Sequence, residues 1–243
     1  SLMGNREGLS LSVSPSEWIN RLISTILDSS TIEWWYSNKF VLGLIAEASP
    51  RSYIKFIQND LMKEDSIIKR LFTPKGVNNL WGPQEDYTHI LFSLQAMLWE
   101  EEWLLPISCI LADLSRIEND SNLYNKPITA LYEAYAIWRP QTYAKTPQRL
   151  QALETIAKKY PKQAFDIYFK LIDRLDHATV SYTHPMKWRC YNYSYVNVSQ
   201  QDICDSITHL CKLIISVCDC SEEQICKMLN LADQLVLGSS NRQ

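Results

Sequence analysis

Glycine is scarce in this chain: there are six in 243 residues, and they never cluster. Neither GxxxxGK[ST] nor GxGxxG occurs, which excludes ATP and dinucleotide sites of those local types. A turn-rich β protein would also need more glycine for its positive-φ positions. A basic excess is missing too, since the formal net charge is −3 and the pI is about 5.8. Nucleic-acid modules need clustered Lys and Arg to displace counterions from phosphates. Here Lys158, Lys159 and Lys162 sit among Glu154 and Asp166, so no nucleic acid is expected as a partner. No apolar run approaches the ~20 residues that span a bilayer, and no membrane association is expected. The N-terminus lacks the pattern of a signal peptide, and a cytoplasmic location is expected.

Cysteine is present but unpatterned. Seven occur, an odd number, and five fall in the last forty residues. Cys204, Cys211 and Cys218 recur every seven residues, on one helical stripe with Ile207, Leu210, Ile214 and Val217. That spacing reads as reduced thiols serving as small core hydrophobes. A zinc site from Cys204, His209, Cys211, Cys218 and Cys220 is the sharper alternative. His209 and Cys211 would lie about 200° apart around a helix, and no CxxC pair exists. No metal and no cofactor are therefore expected.

What the chain does have is helical periodicity. Hydrophobic residues make up 46% of it, enough for a core at a length where roughly 70% of the unfolded surface can be buried. Three stretches read as helix, proline-marked joint, helix. They are 40–62 with its joint at Ala48-Ser49-Pro50, 90–117 with a joint around Leu105-Pro106, and 150–175 with its joint at Tyr160-Pro161. In the second stretch Glu100-Glu101-Glu102 reads as a solvated inter-helix turn. Ser14-Pro15-Ser16-Glu17, Ser199-Gln200-Gln201-Asp202 and Ser221-Glu222-Glu223-Gln224 are helix-start signals. Residues 31–36 either open a helix or form a packed connection; the pattern fits both. A short helix over 67–72, another over 127–138, and a last helix stopped by Gly238 complete the pattern. The expectation is an all-α chain of ten to twelve helices, in antiparallel hairpins stacked as an irregular α-α solenoid of TPR or HEAT type. It divides into a frayed or appended N-terminus (1–13), one helical-repeat domain (14–238) and a frayed C-terminus (239–243).

No catalytic set is evident. His89 and His209 lie inside helical patterns and read as structural. Asp176, His177 and His184 flank an irregular stretch, and a helical hydrolase built on them is the alternative function. Two polar-aromatic segments, Trp138-Arg139-Pro140-Gln141-Thr142 and Thr183-His184-Pro185-Met186-Lys187-Trp188-Arg189, combine residue types enriched at binding hot spots. The same residues also serve as braces, Arg on helix-end carbonyls and Trp over the core. Trp138, Arg139, Gln141, Thr142, His184, Trp188 and Arg189 are the partner-binding candidates.

A collinear series carries a family resemblance: Leu44-Ile45-Ala46-Glu47-Ala48-Ser49-Pro50, the helix 91–99, Leu105-Pro106, Ile110-Leu111-Ala112-Asp113-Leu114, Asn125-Lys126-Pro127-Ile128, Trp138-Arg139-Pro140-Gln141-Thr142, Arg149-Leu150-Gln151-Ala152-Leu153, and Thr183-His184-Pro185 with Trp188-Arg189. Over about residues 39–190, this order resembles the α-helical region downstream of the NTPase core in large bacterial STAND-type P-loop ATPases. Some members of that class are antiphage sensors. The resemblance implies a sensor or scaffold segment that recognises a protein partner, with ATP binding and effector activity elsewhere in a longer protein. This chain has no P-loop, so no catalytic residue is carried over. The expected function is thus a non-catalytic helical interaction or sensor module, a fragment of a larger signalling or defence ATPase.

Overall fold

A computed structural model describes residues 14–73, 87–117, 125–173, 184–187 and 197–240, with side chains through Ala232. Among these residues the chain is all-helical, with twelve α-helices, one 3-10 turn and no strand. None of the helices is long and apolar enough to cross a membrane.

Local signals set most helix starts. Ser14 caps α1 (Pro15–Asp28): its hydroxyl accepts from the Glu17 N–H at 3.1 Å, and Pro15 occupies the first turn, where a missing N–H costs nothing. Residues 31–36 resolve as a helix start, because the Thr31 hydroxyl accepts from Trp34 N–H and opens α2 (Ile32–Ser37). A 3-10 turn, Lys39–Val41, leads into α3 (Leu42–Ala48), and Ser49 joins it to α4 (Pro50–Leu61). After α5 (Ile67–Phe72) come α6 (Thr88–Met97) and α7 (Glu101–Leu114). Next are α8 (Pro127–Tyr135), α9 (Thr146–Lys159) and α10 (Pro161–Asp173), the last two meeting at Tyr160. The Ser199–Asp202 capping box opens α11 (Gln200–Val217), and Ser221 precedes α12 (Glu222–Ser240).

Helix α7 is the hub. It packs on α4, α6, α8 and α9, while α1 lies on α3 and α4, α3 on α6, and α10 on α8, α9 and α11. Leu91, Leu94, Met97 and Leu98 bury their side chains, as do Ile107, Ile110, Leu111 and Leu114 across the α6–α7 joint. Buried hydroxyls pair off rather than stand alone: Tyr53 with Ser93 at 2.8 Å and Tyr135 with Ser108 at 2.8 Å.

Several expectations need correction. Pro106 is not a joint; α7 runs straight through it. An interior proline forfeits one backbone hydrogen bond and costs ~3 kcal/mol, and burial of Leu104, Ile107, Ile110 and Leu111 around it outweighs that. The joint lies instead at Leu98–Glu100, and Glu100 is buried rather than solvated. Only Glu101 and Glu102 are exposed, in the first turn of α7, where the helix dipole favours negative charge. Helix α8 ends at Tyr135, three residues short of the expected Trp138. Helix α12 passes through Gly238 to Ser240. The cysteine stripe is only partly a core: Leu210 and Ile214 are buried, Cys211 and Cys218 half-buried, and Cys204 exposed; Cys220 and Cys226, outside the stripe, are exposed as well.

Candidate functional site

The segment 136–145 folds back over the C-terminal end of α8. The Gln141 N–H donates to the Glu133 carbonyl at 3.0 Å, and the Tyr143 N–H donates to the Trp99 carbonyl at 2.8 Å. Thr142 is buried; its hydroxyl donates to the same carbonyl and accepts from the Ala144 N–H. The Trp99 and Tyr143 rings meet at 5.2 Å. This segment thereby clamps the α6–α7 joint to α8. Gln141 is half-buried, and Trp138 and Arg139 are the two side chains of the five-residue motif that are exposed to solvent.

Beneath the clamp, Glu133 is buried and accepts from the Gln95 amide at 3.2 Å. Burial pushes its carboxyl up to about 7, partly opposed by that hydrogen bond. Below pH 4.5 the carboxyl is protonated in the folded and the unfolded chain alike. Between pH 4.5 and about 7 the folded chain keeps a proton that the unfolded chain has lost. Stability from this group is therefore full below pH 4.5 and lost as pH rises to about 7. Glu133→Gln keeps the amide contact and removes the titration. The variant is expected to gain about 2 kcal/mol over the wild type at pH 8 and to equal it at about pH 4, allowing for residual solvent screening. Thermal melts of both proteins across that range check this.

His184 is exposed, and with Pro185, Met186 and Lys187 it forms one wall of a groove of about 420 Å³ whose other walls are the 3-10 turn, α3 and α6. Met186 is buried, which anchors that wall. The groove is lined by Phe40, Leu44 and Phe92, which are 77%, 55% and 42% exposed. Ala96 and Met97 extend the apolar lining. His89 stands beside it, edge-on to Phe40 at 4.7 Å and to Phe92 at 6.5 Å. Burial, and then the Lys39 charge, hold the His89 imidazole below its ordinary range, so at neutral pH it is an uncharged ring. Lys39, 5.5 Å above the Phe40 ring, and Lys187 put positive charge at the border.

Asp176, His177, Trp188 and Arg189 lie outside the described residues. The hydrolase alternative needs Asp176 and His177 to converge on His184. His209 is 3.1 Å from Glu154, linking α11 to α9. Among the described residues, no three His, Cys, Asp or Glu side chains gather as a metal cage.

Phe40, Leu44 and Phe92 are not among the partner-binding candidates read from the sequence. A signal was there: Leu44 follows Leu42 and precedes Ile45 and Ala46, and Phe92 follows Leu91. Apolar residues thus cover more of each helix than one core-facing stripe requires. A surplus arc of that kind marks a second apolar surface. Comparison with protein-family models, curated proteins and solved structures finds no match for this chain.

Proposed function

We propose that the chain is a non-catalytic helical interaction module that takes apolar side chains of a protein partner into the groove between α3, α6 and the His184 segment. The observation that carries this is the convergence of Phe40, Leu44 and Phe92, all solvent-exposed, on one concave surface. Isolated exposed apolar residues are ordinary; a contiguous, concave set of large ones is a feature of interaction sites. The partner segment is apolar with acidic flanks, complementary to Lys39 and Lys187. Antiparallel hairpins stacked as a TPR- or HEAT-like solenoid are the architecture we assign to the module, supported by helix pairs that pack on near neighbours in sequence.

Random peptides displayed on phage and selected against the chain test the groove. Leu44→Glu places a charge in the groove without touching the core. Selected peptides are expected to carry paired large apolar residues beside Asp or Glu and to bind this variant at least about tenfold more weakly. Peptides that bind wild type and Leu44→Glu equally would remove the groove from the proposal. Arg139→Ala in the same assay separates a contact role for the Trp138–Arg139 segment from its clamp role. Weaker peptide binding with an unchanged melting temperature marks contact.

The resemblance to the helical region of STAND-type ATPases supports a wider reading: a cytoplasmic sensor or scaffold segment of a bacterial signalling or defence ATPase. Sequencing the genomic reading frame tests it, with a P-loop domain in the same frame as the expected result.

A further inference from the structure

A second cavity lies apart from the groove and shares no residue with it. It is a cleft of about 760 Å³ between α4, α5, the C-terminal end of α7 and the end of α9, within the ~300–1,000 Å³ typical of small-molecule sites. Lys69, Arg116 and Lys159 reach it from three separate elements. Among the described residues, Asp113 is the acidic one of the lining, and its carboxylate is already engaged. It accepts from the Tyr160 hydroxyl at 2.7 Å and lies 3.6 Å from the Arg116 guanidinium. Neighbours hold both lysines in place without neutralising them. Lys69 donates to the Lys63 carbonyl at 3.2 Å, and the Lys159 ammonium sits 4.9 Å from the Tyr160 ring centre. Among the described residues of the lining, three cations against one carboxylate leave two positive charges concentrated in one cleft, on a chain whose net charge is −3. Leu61, Met62, Ile110 and Ile117 supply an apolar wall beside them.

We propose that this cleft binds a phosphate monoester of a small organic molecule, its phosphate on Lys69, Arg116 and Lys159 and its body against Leu61, Met62, Ile110 and Ile117. Two unneutralised charges match a phosphate monoester, which is largely dianionic at pH 7; a lone carboxylate would leave one unmatched. Cys109 also lines the cleft, and burial pushes its thiol up, which favours the protonated form.

Isothermal titration with phenyl phosphate tests this. Saturable binding is expected, with phenyl sulfate, a monoanion of similar shape, at least about tenfold weaker. The double variant Lys69→Gln/Lys159→Gln is expected to lose at least about tenfold in affinity. Met62→Asp puts a negative charge on an exposed side chain at the rim, breaks no polar contact and is expected to give the same loss, so a folding defect in the double variant would not shelter the proposal. No saturable binding below about 10 mM, equal affinity in both variants, or equal affinity for phenyl sulfate would each overturn it.

Discussion

Leu111→Ala is expected to lower the unfolding free energy by about 3–4 kcal/mol. Leu111 is fully buried in α7, the helix that touches α4, α6, α8 and α9. Removing its isopropyl group loses the transfer free energy of three carbons and leaves a void on a helix packed against four others. None of those helices can close in without disturbing its contacts with the others, so relaxation is small and the cavity cost is retained. Ile215→Ala provides the contrast. Ile215 lies on the outer face of α11 and is largely exposed, and its truncation is expected to change stability by less than about 0.5 kcal/mol. Urea unfolding of the two variants beside wild type, read as midpoints at a common slope, checks both. A Leu111→Ala cost below that of Ile215→Ala would mean that α7 is not the hub.

Asp60→Ala is expected to cost about 3 kcal/mol. Asp60 is completely buried near the end of α4, where one carboxylate oxygen accepts from the Ser66 hydroxyl at 2.7 Å and from the Ile68 N–H at 2.9 Å. Lys63 lies 3.5 Å from the other oxygen. The carboxylate thus ties the start of α5 to the end of α4. Ser66 in turn caps α5 through the Lys69 N–H at 3.0 Å. Deleting the carboxylate strands a buried N–H and frees the capping hydroxyl, and the loss of an engaged partner costs more than the bond's net worth. Asp60→Asn keeps one acceptor oxygen for Ser66 and Ile68 and is expected to lose about 1 kcal/mol. A smaller loss in Asp60→Ala than in Asp60→Asn would sink this account.

The helix starts were legible because their signals are local. A Ser or Thr hydroxyl in reach of an N–H three residues on, or a proline in a first turn, acts before any tertiary contact forms, as at Ser14-Pro15 and Ser199. The same proline rule misread Leu105-Pro106. Proline at a first turn and proline inside a helix impose the same φ, and only the packing around α7 separates the two cases. The acidic run was misread for a similar reason. Glu100, Glu101 and Glu102 are chemically identical, yet the first faces the interior and the other two face water, because the helix begins between them.

The surfaces lay further from view. The groove joins residues near 40, 92 and 184, and the cleft joins cations at 69, 116 and 159. No spacing along the chain connects such positions. The Trp138–Thr142 segment stood out in the sequence by residue type, but only the fold divides it into a buried clamp residue, Thr142, and exposed ones, Trp138 and Arg139. The amino-acid order alone determined an all-α chain, its helix starts and most of its core faces, because hydrogen bonding within a few residues and the 3.6-residue period are properties of short segments. Which proline ends no helix, which glutamate is buried, and which distant side chains share a groove or a cleft were decided by tertiary structure. Those outcomes depend on dense packing between segments far apart in the chain, where the burial of one face determines which others remain exposed.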